Sequence, residues 1–212
     1  MLHKLQYISQ GKTPQEHVEN IHSVLENGGK WIQLRLKNIP DKEYLSLAQQ
    51  VKKICDEFHA VLIINDNIAV AHQSGANGVH LGLTDSSVMQ ARKILGNDTI
   101  IGGTANTIHD IFQRNAERVD YIGLGPLRFT ATKDKLSPEL GFEGYKTILE
   151  EMRSVNFTIP VFAIGGVLPE DCKPLAACGV YGVAVSSAIT NAADKKEMIL
   201  QFQNNMNVLQ TL

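Results

Sequence analysis

The feature that most restricts this chain is an alternation, repeated eight times, of a short apolar run and a segment of helical periodicity. The apolar runs fall at 5–8, 31–36, 61–64, 78–81, 99–103, 121–124, 160–164 and 182–185. Several are rich in β-branched residues, as strands covered on both sides require. After each run, apolar side chains recur every three or four residues, over 13–27, 41–59, 68–74, 87–95, 107–117, 144–155, 168–177 and 193–209. Thr13 and Pro14 form an N-cap and N1 pair, and Gly28-Gly29 stops the helix they open. In segment 193–209 the residues Met198, Phe202, Met206 and Leu209 fall on one core-facing stripe. Strands alternating with helices pair in parallel, with the helices packed over the sheet. A count of eight favours an α/β fold closed into a (β/α)8 TIM barrel over an open doubly wound sheet. No G-x-G-x-x-G follows the first run, which argues against a dinucleotide fold. No linker or charge block interrupts the chain, so residues 1–212 are expected to form one domain.

Charge and cysteine content narrow the function classes. The net charge is −2, with acids and bases interspersed, so neither nucleic acid nor an anionic membrane is expected as partner. Any anion site must then be a local construction. Cys55, Cys172 and Cys178 have neither an even count nor zinc or redox spacing and read as free thiols. No stretch is apolar enough to span a bilayer, and the N-terminus lacks a signal-peptide core, so the cytoplasm is the expected compartment. Oligomeric state is left open, a homodimer included.

In a barrel of this type the chemistry gathers at the C-terminal ends of the strands. Those ends here carry Gln33, Arg35 and Lys37, then Asn65 and Asp66, Asp85, Thr104, Thr130, Thr132 and Lys133, Gly165 and Gly166, and Ser186 and Ser187. Gln33, Arg35 and Lys37 alternate with apolar residues, so period two puts them on one face, where inward cations must meet an anion or a carboxylate. Asp66 and Asp85 read either as a Mg²⁺ pair, completed by waters and substrate phosphates, or as helix N-caps. Thr130, Thr132 and Lys133 place two hydroxyls and an ammonium within four residues, which suits pyrophosphate as well as a solvated loop. Gly165-Gly166 lets backbone N–H groups approach a phosphate closely, with Ser187 adding a hydroxyl. His80, among apolar neighbours, reads as a satisfied core histidine rather than a general base. Two anion sites in one barrel, without a nucleophile, suggest displacement of pyrophosphate by a second phosphorylated small molecule.

The strings Gln33-Leu34-Arg35-Leu36-Lys37, Ile64-Asn65-Asp66, Gly78-Val79-His80-Leu81-Gly82 with Asp85, Tyr121-Ile122-Gly123-Leu124-Gly125-Pro126 with Thr130-Ala131-Thr132-Lys133, Ala163-Ile164-Gly165-Gly166 and Val185-Ser186-Ser187-Ala188-Ile189 occur in this order. Together they resemble the thiamine phosphate synthase family over essentially the whole length. The resemblance implies a transferase that joins hydroxymethylpyrimidine diphosphate to hydroxyethylthiazole phosphate with Mg²⁺, pyrophosphate leaving first. It implies Asp66 and Asp85 as metal ligands, with Arg35, Lys37, Asn65 and Lys133 on the pyrophosphate. Gln33 and Thr104 would face the pyrimidine; Thr130, Thr132, Gly165, Gly166, Ser186 and Ser187 would serve the thiazole phosphate. Lys133, Arg35 and Thr104 are the expected catalytic set. The chain departs from the family pattern at Leu83, Thr104 and Asn106, at Ser9-Gln10, and at Arg128-Phe129. Two other readings compete: a thiazole tautomerase on the same barrel and a non-catalytic phosphate-binding barrel. Retention of Arg35, Lys37, Asp66, Asp85 and Lys133 argues against the tautomerase.

Overall fold

Eight strands hydrogen-bond in sequence order, and the eighth returns to the first, closing a barrel. The computed structural model describes residues 2–129 and 138–207. Strand β1 is Leu5–Ile8, followed by α1 (Pro14–Glu26), β2 (Trp31–Leu34), α2 (Asp41–Glu57), β3 (Val61–Asn65), α3 (Ile68–Ser74) and β4 (Gly78–Leu81). Then come α4 (Val88–Leu95), β5 (Ile100–Ala105), α5 (Ile108–Ala116), β6 (Tyr121–Leu124), α6 (Gly141–Ser154) and β7 (Val161–Ile164). A 3-10 turn at Pro169–Asp171 leads into α7 (Cys172–Cys178), and β8 (Gly182–Val185), α8 (Ser187–Thr190) and α9 (Lys195–Asn207) follow. Every strand pair is parallel.

Local chemistry sets these boundaries. Thr13 accepts from Glu16 N as N-cap of α1, with Pro14 at N1. Thr107 and Asp110 form a reciprocal capping box on α5. Outward-facing strand residues such as Ile32, Leu62, Val79 and Ile122 merge with the inner faces of the helices into one continuous core. Inside the barrel, Trp31 packs edge-on against Tyr121 and Phe162, with ring centroids 5.0 and 4.8 Å away. Gly102 makes room for this filling, because a Cβ there would lie 2.2 Å from Tyr121 Cζ.

Two helix tyrosines fasten neighbouring strands where they reach the mouth. Tyr44 of α2 donates to Leu34 O at 2.8 Å, with Asn65 O 3.2 Å from the same hydroxyl. Tyr145 of α6 donates to Leu124 O and accepts from Ile164 N. Burial pushes both phenols up, so these hydroxyls stay protonated donors.

The expected elements are present, with shifted ends. The run at 31–36 stops as a strand at Leu34, where the β2–β3 ladder ends opposite Ile64. Arg35 and Lys37 therefore sit on a loop rather than on a continuous strand face. Strand β5 runs on to Ala105, helix α6 begins at Gly141, and Ser187 opens a short helix, α8, that periodicity does not foreshadow. Of the stripe on α9, Phe202 and Met206 are buried, and Leu209 lies outside the described residues. Among the described residues no helix is long and apolar enough to cross a membrane.

Candidate active site

A cavity of about 130 Å³ opens at the C-terminal end of the barrel. Its wall includes Gln33 of β2 and Arg35 just after that strand, Asn65 of β3, His80 of β4 and Thr104 of β5. The opposite side is made by Gly165, Gly166, Ser186 and Ser187. The strand ends thus bring together Gln33, Arg35, Asn65, Thr104, Gly165, Gly166, Ser186 and Ser187. Thr130, Thr132 and Lys133 lie outside the described residues.

Lys37, Asp66 and Asp85 form a second group at the same end. Lys37 Nζ is ion-paired with Asp66 Oδ2, and the two carboxyl groups share a hydrogen bond. Asp66 has φ +65°, a left-handed conformation that short polar residues tolerate best. The N-cap reading of the aspartates is excluded by their neighbours: Asn67 caps α3 and Ser87 caps α4. Asp85 Oδ2 instead accepts from Gly82 N at 2.6 Å, fixing the turn after β4. Burial, then the bond to Asp85, holds the Asp66 carboxyl above the usual range despite Lys37. Burial also pushes Asp85 upward, but the bond from Asp66, the Gly82 N–H, Lys37 and His80 outweigh it and hold it low. The pair therefore holds a proton more readily than two separate aspartates would. A divalent cation would relieve the same crowding of acceptors, and Mg²⁺ takes one or two carboxylates plus phosphate oxygens and water. The donor set fits such an ion. Among the described residues no third His, Cys, Asp or Glu joins the pair.

The opposite wall is a turn through two consecutive left-handed glycines, Gly165 at φ +91° and Gly166 at φ +67°. A Cβ at 166 would lie 2.5 Å from Arg128 Cγ, so glycine lets the Arg128 stem cross the turn. Arg128 grips Asp171 through both guanidinium nitrogens, at 2.6 and 2.7 Å, and donates to Gly166 O at 2.7 Å. This fork ties the loop after β6 to the loop after β7. It accounts for Arg128, which the order of motifs leaves unexplained. Phe129 beside it is exposed.

Several side chains at the site carry no sequence signal of their own. Ser9 Oγ accepts from Arg35 N at 3.0 Å, and Gln10 Oε1 accepts from Ser186 Oγ at 3.2 Å. The Ser9-Gln10 departure is thus structural: it secures the loops of β2 and β8. Arg114 of α5, almost fully buried, donates to Thr104 O at 3.1 Å and Gly82 O at 2.8 Å. Asn106 lines the cavity and donates to Gly125 O. The pattern that would have exposed these residues is contact across loops, which linear spacing does not contain. Leu83, the remaining departure, is partly exposed on the turn after β4 and outside the cavity wall.

His80 is buried as expected, but it lies on the cavity wall rather than in apolar packing. Its Nδ1 is 3.1 Å from Tyr121 Oη, and its Nε2 is 3.0 Å from Thr104 Oγ1.

A closed parallel barrel with a glycine turn facing a cation and carboxylate cluster defines an anion-handling (β/α)8 barrel, built for phosphorylated ligands. The chain belongs to the thiamine monophosphate synthase family, whose pattern it matches over residues 5–189. It is 48% identical over 206 residues to the thiamine-phosphate synthase of Flavobacterium psychrophilum, covering 97% of this chain and 100% of that protein. It is also 48% identical to the thiamine-phosphate synthase of Flavobacterium johnsoniae, covering 97% of each chain. Among solved structures, thiamine phosphate pyrophosphorylase from Pyrococcus furiosus superposes with a TM-score of 0.82 at 28% identity, covering 97% of this chain and 96% of that one.

Proposed function

We propose that this chain is a transferase that joins hydroxymethylpyrimidine diphosphate to hydroxyethylthiazole phosphate, forming thiamine phosphate and releasing pyrophosphate. The observation that carries this reading is the Lys37, Asp66 and Asp85 group standing across the barrel mouth from the Gly165-Gly166 turn. One end suits a metal-bound diphosphate, the other a monophosphate, and the cavity between them suits the two rings.

Arg35, Lys37 and Asn65 bind the diphosphate, with Lys133 assigned to the same oxygens by its place in the family pattern. Asp66 and Asp85 hold Mg²⁺, which when bound supplies positive charge to the pyrophosphate oxygens. Gln33 and Thr104 read the pyrimidine. Gly165, Gly166, Ser186 and Ser187 take the monophosphate, and Thr130 and Thr132 contact the thiazole side. The bond from the pyrimidine methylene carbon to the diphosphate oxygen breaks first, leaving both electrons on pyrophosphate. The thiazole nitrogen lone pair then forms the new carbon–nitrogen bond. No proton is removed in either step, in keeping with a site whose resources are charge and positioning. Arg35, Lys37 and Lys133 stabilise charge as it develops on the departing group, while the buried barrel floor keeps water from the cation.

The test is to supply purified protein with both substrates and Mg²⁺ and to follow product by chromatography. Thiamine phosphate and pyrophosphate should form in equal amounts, and only when all three are present. Tautomerisation of the thiazole phosphate with no coupled product would defeat the proposal.

A further inference from the structure

Five side chains form one hydrogen-bonded chain through the barrel interior. Gln33 Nε2 donates to Gln6 Oε1 at 3.2 Å, and Gln6 Nε2 donates to Tyr121 Oη at 3.2 Å. Tyr121 Oη meets His80 Nδ1, and His80 Nε2 meets Thr104 Oγ1. Gln33, His80 and Thr104 line the cavity; Gln6 and Tyr121 do not, and both are buried.

Counting protons links the two ends. The Tyr121 oxygen accepts from Gln6 Nε2, an amide nitrogen that cannot take a proton in return, so the partner left for the phenolic proton is His80 Nδ1. Burial pushes the phenol up, so that proton is not lost to solvent. An imidazole that accepts at Nδ1 carries its proton on Nε2 and gives it to Thr104 Oγ1. Thr104 then keeps its own O–H for the cavity. Gln33, with its N–H groups turned inward, shows the cavity its carbonyl oxygen. Reversing one bond strands a buried donor or acceptor, so the chain switches as a whole or not at all.

We infer that Tyr121, seconded by Gln6, is a positioning and specificity-determining residue: it holds His80 in the Nε2–H form, so that the cavity presents an acceptor at Gln33 and a donor at Thr104. A ligand edge carrying an amino donor beside a ring-nitrogen acceptor complements that pair. An aminopyrimidine has such an edge; a pyrimidine with a keto oxygen in place of the amino group meets acceptor with acceptor at Gln33. The inference deepens the proposed transferase and rests on it for the identity of the pyrimidine.

The experiment uses full-length protein with ¹⁵N-labelled histidine. Two-bond ¹⁵N–¹H couplings report the tautomer, and the His80 signals are assigned by their loss in His80→Gln. The wild-type protein should show His80 as Nε2–H, and Tyr121→Phe should shift the proton toward Nδ1. By calorimetry, Tyr121→Phe should weaken binding of the aminopyrimidine diphosphate with Mg²⁺ about five- to tenfold, the worth of one neutral hydrogen bond. Binding of the thiazole phosphate should not change, a split that general loosening of the barrel would not produce. An Nδ1–H tautomer in the wild type overturns the inference, and that reading survives even if Tyr121→Phe fails to fold. A Tyr121→Phe protein with unaltered tautomer, or with unaltered pyrimidine affinity, also overturns it. Absence of turnover with both substrates would defeat the proposed reaction instead, because tautomer and binding are read without chemistry.

Discussion

Removing Arg128 tests whether the fork between the β6 and β7 loops holds the barrel mouth together. Asp171 is 4% exposed and accepts from both guanidinium nitrogens and from Leu168 N at 2.8 Å. Arg128→Ala would leave that carboxylate with the Leu168 N–H among its described partners. Stripping one partner from a fully buried ion pair costs about 3–5 kcal/mol. The Arg128 side chain is 38% exposed, so water enters the vacated space and the loss falls to about 2 kcal/mol. For a chain of this length each kcal/mol moves the melting temperature by roughly 2–4 °C, so a drop of about 4–8 °C is expected. Arg128→Lys keeps the charge but not the fork and should lose about half as much. Adding Asp171→Asn to Arg128→Ala should recover part of the loss, since the stranded charge is gone. Thermal unfolding followed by circular dichroism measures all three. The release of Gly166 O should also raise KM for the monophosphate substrate more than for the diphosphate. A fall of less than about 1 °C for Arg128→Ala, or no recovery in the double variant, would refute the reasoning.

Other consequences are open to direct measurement. Asp66→Asn should abolish Mg²⁺-dependent turnover while raising the melting temperature of the metal-free protein at neutral pH; a lower melting temperature at pH 7 rejects this. The sign follows from linkage: a carboxyl held above its ordinary pKa contributes most below the unfolded value of about 4 and loses that contribution as pH rises through the folded value. Asp85, held low, contributes above the unfolded pKa and loses it as pH falls through the folded one, so Asp85→Asn should lower the melting temperature at pH 7. Burial pushes the Cys55 and Cys172 thiols up to about 12, so alkylation of the native protein at neutral pH should stop at Cys178, the half-buried one. Rapid modification of two or three sites, read by mass spectrometry, would contradict it. Gly166→Ala should destabilise by about 1–3 kcal/mol, because alanine resists φ +67° and its Cβ meets Arg128; an unchanged unfolding midpoint in urea would count against that account.

The barrel was legible in the sequence because its determinants are local and periodic. Leu5–Ile8 and Tyr121–Leu124 read directly as buried strands, and Thr13 and Pro14 mark a helix start through a cap that acts within four residues. The mouth was legible to the extent that closure sends every strand end to one side, which carries Gln33, Arg35, Thr104 and Gly166 to one cavity without any knowledge of contacts. The end of β2 at Leu34 was not legible, since period two continues in the residue types after the ladder has stopped.

The amino-acid sequence by itself determined the class of fold, the face on which chemistry collects and the residue types available there. Tertiary structure decided what those residues do to one another. Only in three dimensions do Asp66 and Asp85 become one proton-sharing pair rather than two helix caps, since Asn67 and Ser87 take the capping role. Only there does Arg128 meet Asp171, 43 positions away, and Gln33 reach Thr104 through Gln6, Tyr121 and His80. The physical reason is range. Caps and periodicity act over one or two turns of chain, whereas hydrogen-bond polarity and buried charge depend on whichever groups the closed barrel leaves as neighbours away from water.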